Sequence, residues 1–571
     1  MEGSLVYRVE LSQIFPEDVG KTVQDYLNGI SKEFILKTGA YLIAFEKDRV
    51  YTSNNKKVIE DWFRRDNQKV AQFIYDRIVK IEKDNNWVAQ IINAHATLKL
   101  LETAFAGESK TTTQSEPEME INIFKAYILL NEIDNQKDNS LFASLEGIEE
   151  RLKFSLMVFT QTLRYADITN FNIKEVYTGQ FIRGCLLLKF LQQKHPSIYT
   201  AFLDEFKIKS WERFFQQYFP LVHLALTNKG RKFTEITIPD NLLAEATAFI
   251  DKTAVKKDDE ELVPFDFITL RANPLFHSSA NSYRVIYDLF LVEKMYSGLY
   301  FILKQIIEAR GLPVNLKNIV SLEFSEHQMV YLVMNAIYKN SYRTFTGTEL
   351  DKRKIKGAPD YYAANDKRVF LIESKDVFLG AEVKESGNYA SYERALKSKF
   401  YFEEKDSKLK PKAVRQQIEL IRRILSAKLE FDNPGGVAIY PFLVIHHTQL
   451  NVAGFNQLIN RWFRNELRKL SDNGLDTKLV RPVTVIDIST LILYMDYFQS
   501  ERIPLHVLID EYHAATDHQT KIIVRPNNSL QQELLLRAVS FSHFVRSKNF
   551  NPHPPKLYDD LAKEVVAYKE L

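Results

Sequence analysis

The 571-residue chain lacks features that several protein classes require. It has one cysteine, Cys185, so it cannot form an internal disulfide or a multi-cysteine zinc or iron–sulfur site. Its longest apolar run, over 437–445, has the length of a strand and falls well short of the ~18 residues of a membrane helix. It contains no GxxxxGK[ST] loop and no Gly-x-Ser-x-Gly elbow, which argues against ATP-driven translocation by this chain alone.

The sequence also has almost no net charge. Its 76 lysines and arginines nearly balance 73 aspartates and glutamates, leaving +3, which excludes a uniformly basic nucleic-acid coat protein. Hydrophobic residues make up 45% and charged residues 26%, as in globular proteins. No basic stretch followed by an apolar one marks a signal peptide, so we expect a cytoplasmic protein without membrane contact.

The residue pattern divides the chain into four predicted regions. Residues 1–60 mix short strand-like runs, one of them over 40–45, with a helix-like stretch. Apolar residues at three- and four-residue spacing predict a helical region over 61–315, with a binding or regulatory role. Helix and strand patterns alternate over 316–500, and 501–571 form a C-terminal helical extension. We therefore predict an α+β protein of several domains.

A strand signal in the third region runs directly into charged residues. The apolar run 369–372 is followed by Glu373 and Lys375 on one face of the strand, with Ser374 on the other. A surface hairpin that ends in solvated charges is the alternative. The apolar run directly before Glu373 favours burial.

An aspartate precedes this strand across a candidate hairpin. If Asn365-Asp366 is the two-residue turn, Asp360 pairs opposite Leu371. Asp360 and Glu373 then become diagonal neighbours, roughly 7–8 Å apart at the backbone. A divalent cation could bind both carboxylates, and such oxygen-rich sites suit Mg²⁺ or Mn²⁺. With Lys375 beside them, these are the parts of metal-assisted phosphodiester hydrolysis.

The segment upstream predicts a helix that carries another acid. Ser325 as N-cap and Gln328 at the third helical position would form a capping box. Glu326 then shares a face with apolar residues four, seven and eleven positions later, where a carboxylate needs a partner. Two interpretations stay open: Glu326 belongs to the metal site, or it stabilises the helix dipole.

Alternating elements continue downstream. A helix over 411–429 is predicted to point Gln417 inward, because Gln417 lies among the apolar positions of its buried face. A strand over 437–445, a helix over 455–470 and a strand over 483–488 follow.

This order of elements resembles the PD-(D/E)XK nuclease superfamily. The motif reads Pro359-Asp360, twelve residues, then Glu373-Ser374-Lys375, and the resemblance covers about residues 320–490. It implies a restriction-endonuclease-like α/β/α domain with a mixed central sheet, after a mostly helical N-terminal region.

The resemblance also implies roles for individual residues. Asp360, Glu373 and the main-chain carbonyl of Ser374 would hold Mg²⁺ (or Mn²⁺), and Lys375 would orient or activate the water. Glu326 matches the acidic residue of the first core helix. The catalytic set it implies is Asp360, Glu373, Lys375, Glu326 and Gln417.

Gln417 matches the family pattern less closely, and two histidines lie outside it. Gln417 looks like the glutamine of RecB-type members, but Ile421 stands where those members have a tyrosine. His446 and His447 follow a strand-like run, and we interpret them as polar residues at a strand end rather than metal ligands.

Local charge favours a nucleic-acid substrate. Residues 351–430 hold 19 lysines and arginines against 13 acids, a net +6, so the remainder of the chain carries −3. Cationic rims neutralise phosphates, although a solvated face is the common alternative. The predicted nucleic-acid-binding residues are Lys352, Arg353, Lys354, Lys356, Arg394 and Lys397.

These patterns predict a metal-dependent DNA endonuclease, with a restriction or anti-phage defence role inferred from architecture. DNA is the expected partner, with a homodimer or a protein partner through the helical region as further expectations. The alternatives are a non-catalytic nucleic-acid-binding or scaffold protein on a nuclease-like fold, and an RNA-directed nuclease.

Overall fold

The computed structural model describes most of the chain. The described residues are 7–47, 54–85, 88–106, 112–139, 145, 147–169, 171–228, 233–255, 266–405, 408–500, 503–517, 530–550 and 553–569. No helix within these ranges is both long enough and apolar enough to cross a membrane.

The chain forms two compact units, each built from two stretches of sequence. The first comprises Met1–Ser140 and Phe215–Gly298, and the second comprises Leu141–Phe214 and Leu299–Leu571. Residues 141–214, predicted as part of the helical region, thus fall in the same unit as the predicted nuclease region. The predicted four-region division itself stays a prediction.

Helices dominate the first 295 residues. In chain order the elements are β1 (Tyr7–Arg8), α1 (Leu11–Ile14), α2 (Val23–Leu27), α3 (Lys32–Lys47), α4 (Asn55–Trp62), α5 (Gln68–Asn85), β2 (Ala89–Gln90), α6 (Ala94–Ala106), α7 (Glu116–Asn139), α8 (Glu150–Leu163), α9 (Ala166–Thr169), α10 (Ile173–Lys194), α11 (Pro196–Phe206), α12 (Trp211–Thr227), β3 (Glu235–Thr237), α13 (Leu243–Ile250), α14 (Ile268–Ala272), β4 (Leu275–Ser279), β5 (Ser282–Val285) and α15 (Asp288–Glu293).

Strands become longer in the remainder. The elements are α16 (Ser297–Arg310), α17 (Leu316–Asn318), a π-helix (Ile319–Val330), α18 (Tyr331–Tyr338), β6 (Arg343–Thr346), α19 (Gly347–Lys352), β7 (Tyr361–Ala364), β8 (Arg368–Lys375), α20 (Ala381–Glu385), α21 (Tyr389–Phe400), β9 (Phe402–Lys405), β10 (Lys408–Pro411), α22 (Ala413–Leu425), β11 (Ala438–Ile445), α23 (Phe455–Asp472), β12 (Thr484–Asp487), α24 (Ile488–Leu493), α25 (Met495–Gln499), α26 (Leu505–Thr516), α27 (Leu530–Ala538), α28 (Phe541–Ser547) and α29 (Lys556–Ala567). Short 3₁₀-helices lie at Pro16–Asp18, Arg65–Asn67, Asp240–Leu242, Asp251–Thr253 and Thr448–Leu450.

The first unit is mainly helical. Its described strands form a small antiparallel sheet, β3-β5-β4, and a short parallel pair, β1 and β2. The strand predicted over 40–45 is wrong, because these residues belong to the sixteen-residue helix α3. A short apolar run does not by itself distinguish a strand from a buried helix.

The second unit contains a mixed sheet. Among its described residues, five strands pair in the order β12-β11-β8-β7-β6. β8 lies at the centre, parallel to β11 and antiparallel to β7. Nearly all residues of β8 and β11 are buried, as expected for strands covered on both faces. The predicted α+β composition with a mixed sheet is confirmed.

Helices from both stretches of the second unit cover this sheet. Leu156 and Phe159 of α8 share one hydrophobic core with Leu371 of β8, Ile418 of α22 and Ile439 of β11. Helix α8, together with Leu145, Ile148 and Ala166 beside it, therefore contributes to the packing of the sheet. The predicted helix over 411–429 is shorter at both ends, since β10 extends to Pro411 and α22 ends at Leu425.

One continuous helical segment spans residues 316–338. It begins at Asn315, whose side chain accepts a hydrogen bond from Asn318 N. Its central twelve residues, Ile319–Val330, form a π-helix, a rare geometry that is frequent at functional sites. The predicted N-cap at Ser325 is wrong, because Ser325 lies inside this segment. Glu326 is therefore far from a helix start, and the dipole interpretation no longer applies.

Candidate functional site

The C-terminal end of β8 places two charged side chains on one face. Glu373 is only 2% exposed, and Lys375 Nζ donates a hydrogen bond to Glu373 Oε1 over 2.6 Å. Ser374 points to the other face, where its Oγ lies 2.8 Å from His446 Nε2. The apolar residues before Glu373 bury the strand, as the sequence pattern predicted.

Asp360 lies opposite Glu373 rather than diagonal to it. The β7–β8 ladder pairs Tyr361 with Ile372, so extending the register by one residue pairs Asp360 with Glu373. The amide N of Ser374 donates to Asp360 Oδ2 over 2.6 Å. The predicted pairing of Asp360 with Leu371 is wrong by two residues, which leaves the same side chains on the same faces.

The chemistry of the turn explains this shift. Asn365 Oδ1 accepts hydrogen bonds from the amides of Lys367 (3.0 Å) and Arg368 (2.9 Å). Asn365 therefore takes the first position of the turn, where asparagine is favoured. The central residues are Asp366 and Lys367, instead of the predicted Asn365-Asp366.

The chain after β6 fixes Asp360 from a second direction. Gly347 N donates to the carbonyl of Asp360 over 2.7 Å. A Cβ atom at position 347 would lie 3.1 Å from that carbonyl and 3.2 Å from the hydroxyl of Tyr331. The absence of a side chain at Gly347 permits this close approach.

The π-helix brings a third acid to the same place. Glu326 lies close enough to Asp360, Glu373 and Lys375 for their charges to act on its carboxyl. Burial, followed by repulsion from Asp360, raises the pKa of Glu326 to about 9. Glu326 therefore lies near the other two acids, and its membership of a metal site stays a prediction.

The carboxylate cluster, defined as Glu326, Asp360 and Glu373 with Lys375, holds three carboxyls and one cation. Burial and the neighbouring Asp360 raise the pKa of Glu373 to about 7. Burial also raises the pKa of Asp360, against the opposing effect of Lys375. Burial works to lower the pKa of Lys375, but Glu373 and Asp360 outweigh it and the pKa is raised. Lys375 therefore remains a cation.

The donor set of this cluster suits a divalent cation. Oxygen ligands are what Mg²⁺ and Mn²⁺ prefer. The cluster offers three carboxyls, of which Glu373 is buried and Glu326 and Asp360 are half-buried. Asp360, Glu373 and the carbonyl of Ser374 could supply ligands. Lys375 Nζ donates to both Glu373 Oε1 and the Ser374 carbonyl (3.1 Å). Within the described ranges, no three Asp, Glu, His or Cys side chains are already gathered in a metal-binding arrangement.

A second ionisable group lies beside the cluster, and the sequence did not reveal it. Ser325 Oγ donates to Asp376 Oδ2 over 2.6 Å, and His447 Nε2 lies 2.9 Å from Asp376 Oδ1. Burial works to raise the pKa of Asp376, but the hydrogen bond and charge of His447 outweigh it, so the pKa is lowered. We call Ser325, Asp376 and His447 the Asp376 group. Asp376 follows Lys375 directly, which was the only signal available.

His446 is a buried neutral residue. Burial lowers its pKa to about 3. Its carbonyl accepts a hydrogen bond from Arg183 Nη1 over 3.1 Å. These contacts tie the end of β11 to Ser374 of β8 and to α10.

The structure does not join Gln417 to the carboxylate cluster. Gln417 is 1% exposed, and its Nε2 donates to the main-chain carbonyls of Leu371 (3.3 Å) and Phe442. These contacts hold α22 against the central strands. A catalytic role for Gln417 stays a prediction without a described contact that supports it.

The predicted nucleic-acid-binding residues lie in two separate segments of the chain. Lys352, Arg353, Lys354 and Lys356 are exposed at the end of α19 and just after it. The carbonyl of Lys356 accepts a hydrogen bond from Arg423 over 2.7 Å, which adds a cation that the sequence reasoning missed.

The other predicted cations lie on α21. Arg394 is exposed. Lys397 pairs with Glu393 over 3.2 Å, so part of its charge is neutralised.

Comparisons with known proteins found no relative of this chain. The chain matches no family model, no curated protein and no solved structure.

Proposed function

We propose that this protein is a metal-dependent nuclease that hydrolyses phosphodiester bonds of DNA through a restriction-endonuclease-like domain. The observation that carries the proposal is the pairing of Asp360 with Glu373 across β7 and β8, with Lys375 on the Glu373 side. Paired carboxylates beside a lysine are the components of metal-assisted phosphoryl hydrolysis.

Asp360, Glu373 and the Ser374 carbonyl would hold Mg²⁺ or Mn²⁺. The bound ion supplies positive charge for the scissile phosphate and makes water a better nucleophile. In the metal-free chain the neighbouring carboxylates raise the pKa of Lys375, and the lysine would orient or activate the water by hydrogen bonding and charge. Glu326, whose carboxyl interacts electrostatically with Asp360, would influence the charge of that carboxylate.

Charge supports a nucleic-acid substrate. The exposed cations of residues 352–356 precede Asp360 in sequence, and Arg423 contacts this segment. Such cations neutralise phosphates. Restriction or anti-phage defence is the role that the combination with a helical unit suggests.

One observation favours a second candidate function. Lys375 Nζ already bonds two of the proposed metal ligands. A lysine that permanently replaced the metal would leave a non-catalytic nucleic-acid-binding protein on a nuclease-like fold. Such a protein would bind salt-sensitively without metal-dependent turnover.

Plasmid cleavage by the full chain, with Mg²⁺ or with EDTA, tests the proposal. We expect nicking with Mg²⁺ only, and a loss of about 100-fold or more in Asp360→Ala, Glu373→Ala and Lys375→Ala. The matched controls are Asp366→Ala and Lys367→Ala, since both residues are exposed in the same hairpin. Cutting retained by all three site variants would contradict the assignment. Metal-independent binding without any cutting would favour the second candidate.

A further inference from the structure

An exposed aromatic ring lies just beyond the carboxylate cluster. Phe378 follows Lys375 by three residues, and 48% of it is exposed to solvent. A single exposed apolar side chain is ordinary. Phe378 differs from such side chains in two respects. It follows the proposed catalytic residues closely in sequence, and hydrogen bonds fix the loop that carries it.

The loop that carries Phe378 is fixed on both sides. Before it, Asp376 bonds Ser325 and His447. After it, the buried Leu379 donates its amide to Gln449 Oε1 over 2.8 Å, and Gln449 Nε2 donates to the carbonyl of Leu379 over 3.4 Å. The exposure of Phe378 is therefore a property of an anchored backbone.

His447 provides a second ring. The ring centroids of Phe378 and His447 are 5.3 Å apart, with an interplanar angle of 67°. The His447 side chain is 35% exposed, and Asp376 holds its Nε2. Almost half of Phe378 stays exposed beside this ring, which leaves surface on which another flat ring can stack.

We propose that Phe378, supported by His447, is a stacking site for an unpaired nucleobase next to the scissile phosphate. This inference rests on the proposed nuclease function and narrows its substrate to nucleic acid with a single-stranded stretch. Bases stack on aromatic side chains with little sequence preference, because every base has a π-face. A base inside a duplex is already stacked on its neighbours, so the ring selects unpaired bases.

Binding of fluorescein-labelled 20-mers to the full chain, followed by anisotropy, tests this site. Single-stranded DNA, single-stranded RNA of the same sequence and duplex DNA are compared in EDTA, where the proposed metal-dependent cutting is prevented. Phe378→Ala should weaken single-strand binding about tenfold or more, and should change duplex binding less than twofold. Phe378→Trp should retain single-strand affinity. The difference in affinity between single-stranded DNA and RNA shows which of the two nucleic acids the protein prefers.

The matched control is Phe301→Ala, since Phe301 is 54% exposed on α16 in the same unit. It should leave all affinities unchanged. Unchanged single-strand binding in Phe378→Ala would overturn the stacking site, as would equal losses for single strand and duplex, or no oligonucleotide binding by the unmodified chain. The nuclease proposal fails separately, when the unmodified chain does not cut with Mg²⁺.

Discussion

Two groups of ionisable residues meet at the end of β8, and they differ in charge balance. In the carboxylate cluster, burial raises the pKa values of Glu326, Asp360 and Glu373, and repulsion from Asp360 adds to the rise for Glu326 and Glu373. In the Asp376 group, the pKa of the carboxyl is lowered despite burial, because His447 and Ser325 satisfy it. Burial alone therefore does not decide whether the pKa of a carboxyl is raised or lowered.

The comparison indicates that the carboxylate cluster is the less favourable of the two arrangements for the stability of the fold. Keeping like charges together costs stability, and such arrangements cluster at sites that bind or react. A hydrogen-bonded carboxylate such as Asp376 instead stabilises the fold. Substitutions in the two groups should therefore change stability in opposite directions.

The largest stability effect is expected for Asp376→Asn. Loss of the charged acceptor should lower the free energy of unfolding by about 2 kcal/mol at neutral pH. This value lies in the lower half of the range for hydrogen bonds to charged groups, because His447 is one-third exposed to solvent. The folded pKa of Asp376 lies below its unfolded value, so its contribution is present above pH ~4 and is lost as pH falls further. Urea unfolding from pH 7 to pH 3 measures this.

The control for this variant is Asp366→Asn, whose side chain is fully exposed in the turn before β8. It should unfold like the unmodified chain at every pH. If Asp376→Asn is as stable as this control, the hydrogen bonds of the Asp376 group do not stabilise the fold, and the contrast with the carboxylate cluster is wrong.

A smaller effect of opposite sign is expected for Glu326→Gln. Glu326 has a folded pKa of about 9 against ~4.3 when unfolded, so the folded state binds more protons between these values. Stability then falls as pH rises through this window. The glutamine side chain does not ionise, so the variant does not lose stability as the pH rises. Glu326→Gln should therefore be more stable than the unmodified metal-free chain by about 1–2 kcal/mol at pH 7, and by less at pH 5. Urea unfolding in EDTA at the two pH values measures it.

Glu308→Gln is the control, since Glu308 is exposed on α16 in the same unit. A destabilised Glu326→Gln would show that Glu326 is a satisfied structural residue, and the distinction between the two groups would fail.

Much of the candidate site could be predicted because strand geometry is local. Alternation along 369–375 places Glu373 and Lys375 together whatever the strand pairs with. The register could not be predicted as reliably, because it depends on whether Asn365 occupies the first or second position of the turn. The Asp376 group and Phe378 escaped prediction because their partners, Ser325 and His447, are distant in sequence.

The fold was predictable to a similar degree. Long apolar strands and amphipathic helices after residue 400 were found near their predicted positions. The paired strands β9 and β10 were missed, since most of their residues are charged and β10 is exposed along its whole length. That α8 packs on the sheet depends on contacts over 200 residues apart in sequence, which periodicity does not reveal.

The central claim is that the carboxylate cluster binds a divalent cation, and thermal unfolding with increasing Mn²⁺ tests it most directly. Mn²⁺ at a hundredfold excess over its Kd should stabilise the unmodified chain by about 2.7 kcal/mol, a rise of several degrees in Tm. Asp376→Asn should show the same rise, and the double variant Asp360→Asn with Glu373→Gln should show none. No rise in the unmodified chain, or an equal rise in the double variant, would contradict the account.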